Sequence, residues 1–261
     1  VFFLIIKVFS LYFLAVSLFG LCRRRTPEPA ARLRRFAVLI AARNEESCIA
    51  GLIESLRAQH YPPELVDIWV LPNNCTDRTA EAARRAGAQV LEMPASVRSK
   101  GAALHTAAKA LLRSARNYDA FCVFDADNEA DPAFLSEMNR ALDRTAIVKS
   151  RILAKNRTQA GISACYEIYF CSANHFLNRA REAVGLSARV IGTGFAIRRD
   201  LLETLDGFPC RTLTEDAELY AACLCRGARI GYCEAAVTYD EEPVTWRASL
   251  VQRRRWMSGI L

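Results

Sequence analysis

The stretch Phe36-Ala37-Val38-Leu39-Ile40-Ala41-Ala42, followed by Arg43-Asn44-Glu45-Glu46, decides how the chain is read. Seven consecutive apolar residues are too few for a helix of ordinary length and show no alternation. That pattern fits a strand buried on both faces, the kind found in parallel sheets. The segments beyond it agree. Glu45–Gln59 has helical spacing through Ile49, Leu52, Ile53 and Leu56, and Val66–Leu71 is a second apolar strand. Thr79–Ala86 reads as helix, Gln89–Leu91 as a short strand, Gly101–Ala115 as an Ala-rich helix and Phe121–Phe124 as another strand. Asp131-Pro132 is expected to open the next helix, with proline at its first position. Strands alternating with helices predict an α/β fold with a mixed, largely parallel sheet, whose ligands lie beyond the carboxyl ends of the strands.

Further on, Ile147–Ala154 and Gly194–Ile197 read as strands and Ala160–Ala183 as a long helix. Asp216–Arg226 and Thr245–Gly259 read as helices, with two short strands between them at Ala228–Tyr232 and Ala236–Tyr239. There is no internal repeat and no low-complexity linker. The body is read as one domain over residues 36–244, with 245–261 as an amphipathic interfacial helix.

The first 21 residues are different in kind. Seventeen are apolar, the exceptions being Lys7, Ser10, Ser17 and Gly20. About 20 apolar residues suffice to cross a bilayer. Positive charge follows the run, as Arg23-Arg24-Arg25, and no small-residue cleavage site appears. A signal peptide has the reverse order, so residues 1–21 read as a transmembrane helix and 22–35 as a basic juxtamembrane linker. The positive-inside rule then places the body on the cytoplasmic side of the membrane. The chain begins at Val1 rather than Met, so a preceding segment is expected.

Charge is just as uneven. The 261 residues carry a net +7. Residues 22–35 contribute +5 and Arg253-Arg254-Arg255 a further +3, while residues 36–251 sum to −2. A body without net positive charge argues against a nucleic-acid-binding surface. Ten cysteines with no C-x-x-C pair or zinc spacing suit a reducing compartment, where they serve as small buried hydrophobes.

Six short motifs are candidates for the ligand site of such a sheet. Asp125-Ala126-Asp127 closes an apolar strand, and two carboxylates on one turn can reach a hard cation. Thr214-Glu215-Asp216 opens a helix. Thr there is a good N-cap, and Thr212 and Glu215 have capping-box spacing, but Asp216 is also a candidate general base. Gln252-Arg253-Arg254-Arg255-Trp256 offers arginine for phosphate and tryptophan for ring stacking. Asn73-Asn74-Cys75-Thr76-Asp77 is a polar turn. Ser99-Lys100-Gly101 precedes a helix, where a lysine and free N–H groups can meet phosphate. Gly192-Thr193-Gly194 reads as a tight turn.

The ordered set of Ala42-Arg43-Asn44-Glu45-Glu46, Asn73-Asn74-Cys75-Thr76-Asp77, Asp125-Ala126-Asp127, Thr214-Glu215-Asp216 and Gln252–Trp256 resembles family 2 glycosyltransferases, most closely the membrane-bound branch with cellulose, hyaluronan and poly-N-acetylglucosamine synthases. The resemblance covers about residues 36–257. It implies a GT-A fold, a nucleotide-sugar donor (most often UDP-linked), Mg²⁺ or Mn²⁺, and inversion at the anomeric carbon. It places Asp127, with Asp125, on the metal, and Asp216 as the base. Lys100 falls at the donor diphosphate, and Ala42, Arg43, Glu45 and Asn73 around the nucleotide. Gln252, Arg255 and Trp256 border the donor. Gly192, Thr193, Gly194, Glu215 and Trp256 face the acceptor. That acceptor is a growing glycan or, alternatively, a lipid or polyprenyl phosphate. Relatives often have Asp where Asn73 stands; Asn offers a carbonyl oxygen to the base but adds an NH₂ donor.

Overall fold

The computed structural model describes residues 2–21, 29–209, 212 and 214–260, apart from the side chains of 256 and 258–260. The arginine run at 23–25 lies outside the described residues. Helix α1 (Phe2–Leu18) runs on through a single 3-10 turn to Leu21, exposed along almost its whole length. It is long and apolar enough to cross a membrane. Only its end touches the body. A Cβ on Gly20 would lie 2.6 Å from the His175 carbonyl oxygen, so the glycine permits a close approach.

The body then builds its sheet. Strand β1 (Phe36–Ala42) leads to helix α2 (Ile49–Arg57), β2 (Val66–Pro72), α3 (Thr79–Arg85) and β3 (Gln89–Val90). Next come α4 (Lys100–Leu112), β4 (Ala120–Asp125), the two-residue β5 (Glu129–Ala130), α5 (Phe134–Ala141) and β6 (Ile147–Ala154). Helix α6 (Gly161–Ser172) passes through a π-helical stretch, Ala173–Arg179, into α7 (Ala180–Ala183). The chain ends with β7 (Phe195–Arg198), α8 (Arg199–Thr204), α9 (Glu215–Cys225), β8 (Ile230–Asp240) and α10 (Trp246–Ile260).

The eight strands form one sheet in the order β3-β2-β1-β4-β7-β6-β8-β5. The pairs β3-β2, β2-β1, β1-β4 and β6-β8 are parallel; β7 is antiparallel to both neighbours, and β5 is antiparallel to β8. Both faces are covered, which is why β1 is apolar throughout. Phe36, Val38 and Ile40 pack with α2, α3 and α5 on one side. Ala37 and Leu39 pack with α4, α8 and α9 on the other.

Three expectations need correction. Asp131-Pro132 does not begin a helix with proline inside it: Asp131 Oδ1 accepts from Ala133 N–H, Ala133 is the cap, and α5 starts at Phe134. The two short strands after residue 228 are one. Its register against β6 jumps from Cys233 opposite Ser150 to Val237 opposite Arg151, and the bulge hides its continuity from pattern reading. Finally, Thr212 does not pair with Glu215; its backbone N–H donates to Glu218 Oε2 at 3.0 Å, one turn further along.

Candidate active site

The strand ends meet where the chain reverses direction tightly. After β1 and β2 the turns pass through Asn44 (φ 60°) and Asn74 (φ 51°), left-handed conformations that asparagine tolerates better than most residues. The two turns are joined, since Asn44 Oδ1 accepts from Thr76 N–H at 2.8 Å and the Ala42 carbonyl accepts from Asn73 N–H at 2.9 Å. Asn73 is buried. Its amide donates to the Ser99 carbonyl at 3.1 Å, and its Oδ1 accepts from Asn74 at 2.7 Å. One lone pair of that oxygen is therefore already in use.

Helix α4 begins just past this turn. Ser99 caps it, its Oγ accepting from Ala102 N–H at 3.1 Å, which sets Lys100 in the first turn. Lys100 Nζ lies 2.5 Å from Asp125 Oδ1, 2.6 Å from the Gly192 carbonyl oxygen and 3.5 Å from Glu215 Oε1. Burial alone would push its pKa down, but the carboxylates of Asp125 and Glu215 outweigh that and hold it above the usual lysine range. Asp216 is also within electrostatic reach. Its Oδ1 accepts from Ala217 N–H at 2.8 Å. Burial raises the Glu215 carboxyl despite Lys100.

Asp127 stands two residues beyond Asp125 with no such cation in contact. Burial, and then the repulsion of Asp125, lift its pKa to about 6, and Glu45 adds to the effect. A group of carboxylates held this close, one of them desolvated, favours a bound cation. Among the described residues no three His, Cys, Asp or Glu side chains close into a metal cage. One or two carboxylates plus substrate phosphates are what Mg²⁺ ordinarily uses, so Asp125 and Asp127 fit a divalent ion.

The structure thus brings Lys100, Asp125, Gly192 and Glu215 into contact, with Asp127, Glu45 and Asp216 around them. Thr193 joins them, its hydroxyl accepting from Asp125 N–H at 3.0 Å. Arg43 is exposed and makes none of these bonds. Gln252 and Arg255 lie apart on α10, lining an open cavity of about 650 Å³ with Glu241, Glu242 and Val251. Gln252 Oε1 accepts from Tyr166 O–H at 3.1 Å. The Trp256 side chain lies outside the described residues.

Four polar residues behind the site escaped the sequence reading: Asn128, Lys149, Asp240 and Glu242. Lys149 is buried in β6, donating to the Thr193 and Gly194 carbonyls at 2.6 and 3.2 Å. Burial depresses its pKa and raises that of Asp240. A lysine inside the apolar run Ile147-Val148-Lys149 was the available signal. Glu242 is raised to about 8 by burial and by Asp240 and Asp127.

Residues 34–259 match the profile of a family described as glycosyltransferase like family 2. The chain belongs to this family. Among curated proteins, it is similar to the probable glycosyltransferase YdaM of Bacillus subtilis, 28% identical over 244 residues, covering 89% of this chain and 56% of that protein. It is 26% identical over 233 residues to the beta-monoglucosyldiacylglycerol synthase of Synechocystis, covering 85% of this chain and 47% of the other. The chain therefore spans about half the length of the curated relatives it matches. Its fold is similar to a mannosyltransferase from Pyrobaculum calidifontis solved with GDP-Man and Mn²⁺ (TM-score 0.75, 21% identity, 96% of this chain and 69% of that one). It is also similar to glucosyl-3-phosphoglycerate synthase from Mycobacterium tuberculosis, solved with Mn²⁺, UDP and phosphoglyceric acid (TM-score 0.56, 23% identity, 85% and 76%). The fold is GT-A.

Proposed function

We propose that this glycosyltransferase moves a sugar, with inversion, from a nucleotide-sugar donor to an acceptor hydroxyl, acting at a membrane through Phe2–Leu21. The observation that carries the reading is the Lys100 bridge. A lysine in the first turn of α4 touches Asp125 at a strand end and Glu215 at the start of α9. The positive end of a helix, a lysine and the neighbouring carboxylates of Asp125 and Asp127 are together suited to a metal-bound diphosphate.

In this reading Asp125 and Asp127 would hold Mg²⁺ or Mn²⁺, whose charge would offset that of the donor diphosphate. Lys100 exchanges carboxylate for phosphate oxygen. Asp216 accepts the proton of the acceptor hydroxyl as that oxygen bonds to the anomeric carbon and the bond to the diphosphate oxygen breaks. Arg255 offsets the charge left on the departing diphosphate, where stabilisation acts most strongly on the transition state. The loop Gly192–Gly194 and Glu215 border the acceptor, and Ala42, Glu45 and Asn73 border the nucleotide.

The acceptor in the first reading is a glycan. A lipid acceptor is favoured by one feature: Trp246, Leu250, Val251 and Met257 are exposed on α10 beside the cavity. Such an apolar face suits the surface of a bilayer. The name of the Synechocystis relative, beta-monoglucosyldiacylglycerol synthase, agrees with it. The test is donor turnover by the full chain in lipid, with a panel of UDP- and GDP-sugars, with and without Mn²⁺, offered oligosaccharide or diacylglycerol. Metal-dependent transfer to one acceptor class is expected. Failure to consume any donor overturns the proposal.

A further inference from the structure

Asn128, immediately after the Asp125-Ala126-Asp127 turn, is 2% exposed and makes four polar contacts. Its Oδ1 accepts from Asp125 N–H at 3.2 Å and from the Thr193 hydroxyl. Its Nδ2 donates to Asp240 Oδ1 at 3.0 Å and to Asp127 Oδ1 at 3.4 Å. Only one orientation of the amide works. Rotated by half a turn, it would set its oxygen against two carboxylates and its NH₂ against an N–H. The side chain is thus fixed from three segments at once: β4 through Asp125, the loop leading into β7 through Thr193, and β8 through Asp240.

The Thr193 end of this network is held from beneath as well. Lys149 Nζ donates to the Thr193 and Gly194 carbonyls. The Thr193 hydroxyl also accepts from Asp125 N–H at 3.0 Å. Moving the Gly192–Gly194 loop therefore moves Asn128, and with it the partner of the Asp127 carboxylate.

We infer that Asn128 is a positioning residue that orients the Asp127 carboxylate for its metal and couples it to the acceptor-side loop through Thr193. The inference rests on the proposed role of Asp127. Apart from its own backbone N–H, the Asp127 carboxylate takes its hydrogen bond from Asn128 among the described residues, and a ligating carboxylate needs such a partner. Losing a hydrogen-bond partner of a metal ligand typically costs about 10–100-fold in metal affinity.

The test uses the full chain in lipid nanodiscs. Binding of UDP and of GDP is measured by calorimetry at graded MnCl₂, with thermal unfolding alongside. Asn128→Ala is expected to raise the half-saturating Mn²⁺ concentration at least about tenfold, with metal-free nucleotide binding unchanged. Thr193→Val, nearly the same shape without the hydroxyl, is expected to shift it in the same direction by less, and decides the matter if Asn128→Ala does not fold. Asp127→Ala calibrates both. If it abolishes the Mn²⁺ dependence while folded Asn128→Ala and Thr193→Val keep that of the wild type, the role of Asn128 is overturned. If Asp127→Ala itself leaves the dependence unchanged, the metal assignment fails instead.

Discussion

Lys100 and Asp125, 25 residues apart in sequence, form an ion pair at 2.5 Å that joins the start of α4 to the end of β4. Both are partly exposed, at 23% and 41% of the side chain. The pair is therefore modest as a structural bond and open to exchange with a ligand. Lys100→Met keeps the stem and removes the charge. A hydrogen bond to a charged group is worth about 1.5–3 kcal/mol, which is roughly tenfold or more in donor affinity. Calorimetry with nucleotide and Mn²⁺ should show that loss. Unchanged affinity in a folded variant would leave Lys100 a structural role only.

Gly194 sits at φ +59°, and an added Cβ would press on the hydroxyls of Thr238 and Ser150. A left-handed non-glycine residue costs roughly 1–2 kcal/mol, and overpacking about 1–3. Gly194→Ala should therefore lose about 2–5 kcal/mol of stability. Gly185, at φ +76° with open space around it, isolates the backbone part. Equal thermal destabilisation of Gly194→Ala and Gly185→Ala would refute the packing argument.

The parts of the molecule that were legible in advance share a cause. β1 is a run of residues buried on both faces, so composition alone delimits it; the expected Phe36–Ala42 is the strand observed. β5 has two residues and carries no periodic signal. The bulge in β8 inserts Glu234, Ala235 and Ala236, and the glutamate breaks the apolar run. In the site, Asp125 and Lys100 were legible because their motifs are local. Asn128 and Asp240 were not, because each acts through a partner more than 60 residues away. Nothing in a short window marks an asparagine as the meeting point of two strands and a loop.

Glu242 offers a pH test. Asn156 fixes its backbone, with Oδ1 accepting from Glu242 N–H at 3.0 Å and Nδ2 donating to the Glu242 carbonyl at 2.7 Å. Its carboxyl is raised from 4.5 to about 8, first by burial, then by Asp240 and Asp127. The folded state thus holds the proton more tightly than the unfolded chain. The resulting stability is fully present below pH 4.5 and is lost as pH rises through about 8. Glu242→Gln stays neutral throughout. Its advantage over the wild type should grow as pH rises towards about 8 and level off above it, read as a widening gap in Tm. Parallel melting curves across that range would rule the shift out.

Asp216 and Glu215 are adjacent carboxylates with different surroundings, and that difference assigns the base. Glu215 borders the acceptor but also touches Lys100 at 3.5 Å, the lysine proposed to meet the diphosphate. Asp216 has one oxygen fixed by Ala217 N–H, which leaves the other to take a proton. Asp216→Asn preserves the shape and the fixed oxygen but removes the basicity. It should lower kcat by about 10²–10⁴-fold, the usual range for general base catalysis, with nucleotide affinity within about twofold of wild type. Glu215→Gln should do the reverse, weakening donor binding because Lys100 loses the carboxylate that positions it while sparing more of kcat. Single-turnover rates and calorimetry on both variants separate the two roles. If Glu215→Gln carries the larger loss of kcat with donor binding intact, the base is Glu215 and the assignment to Asp216 falls.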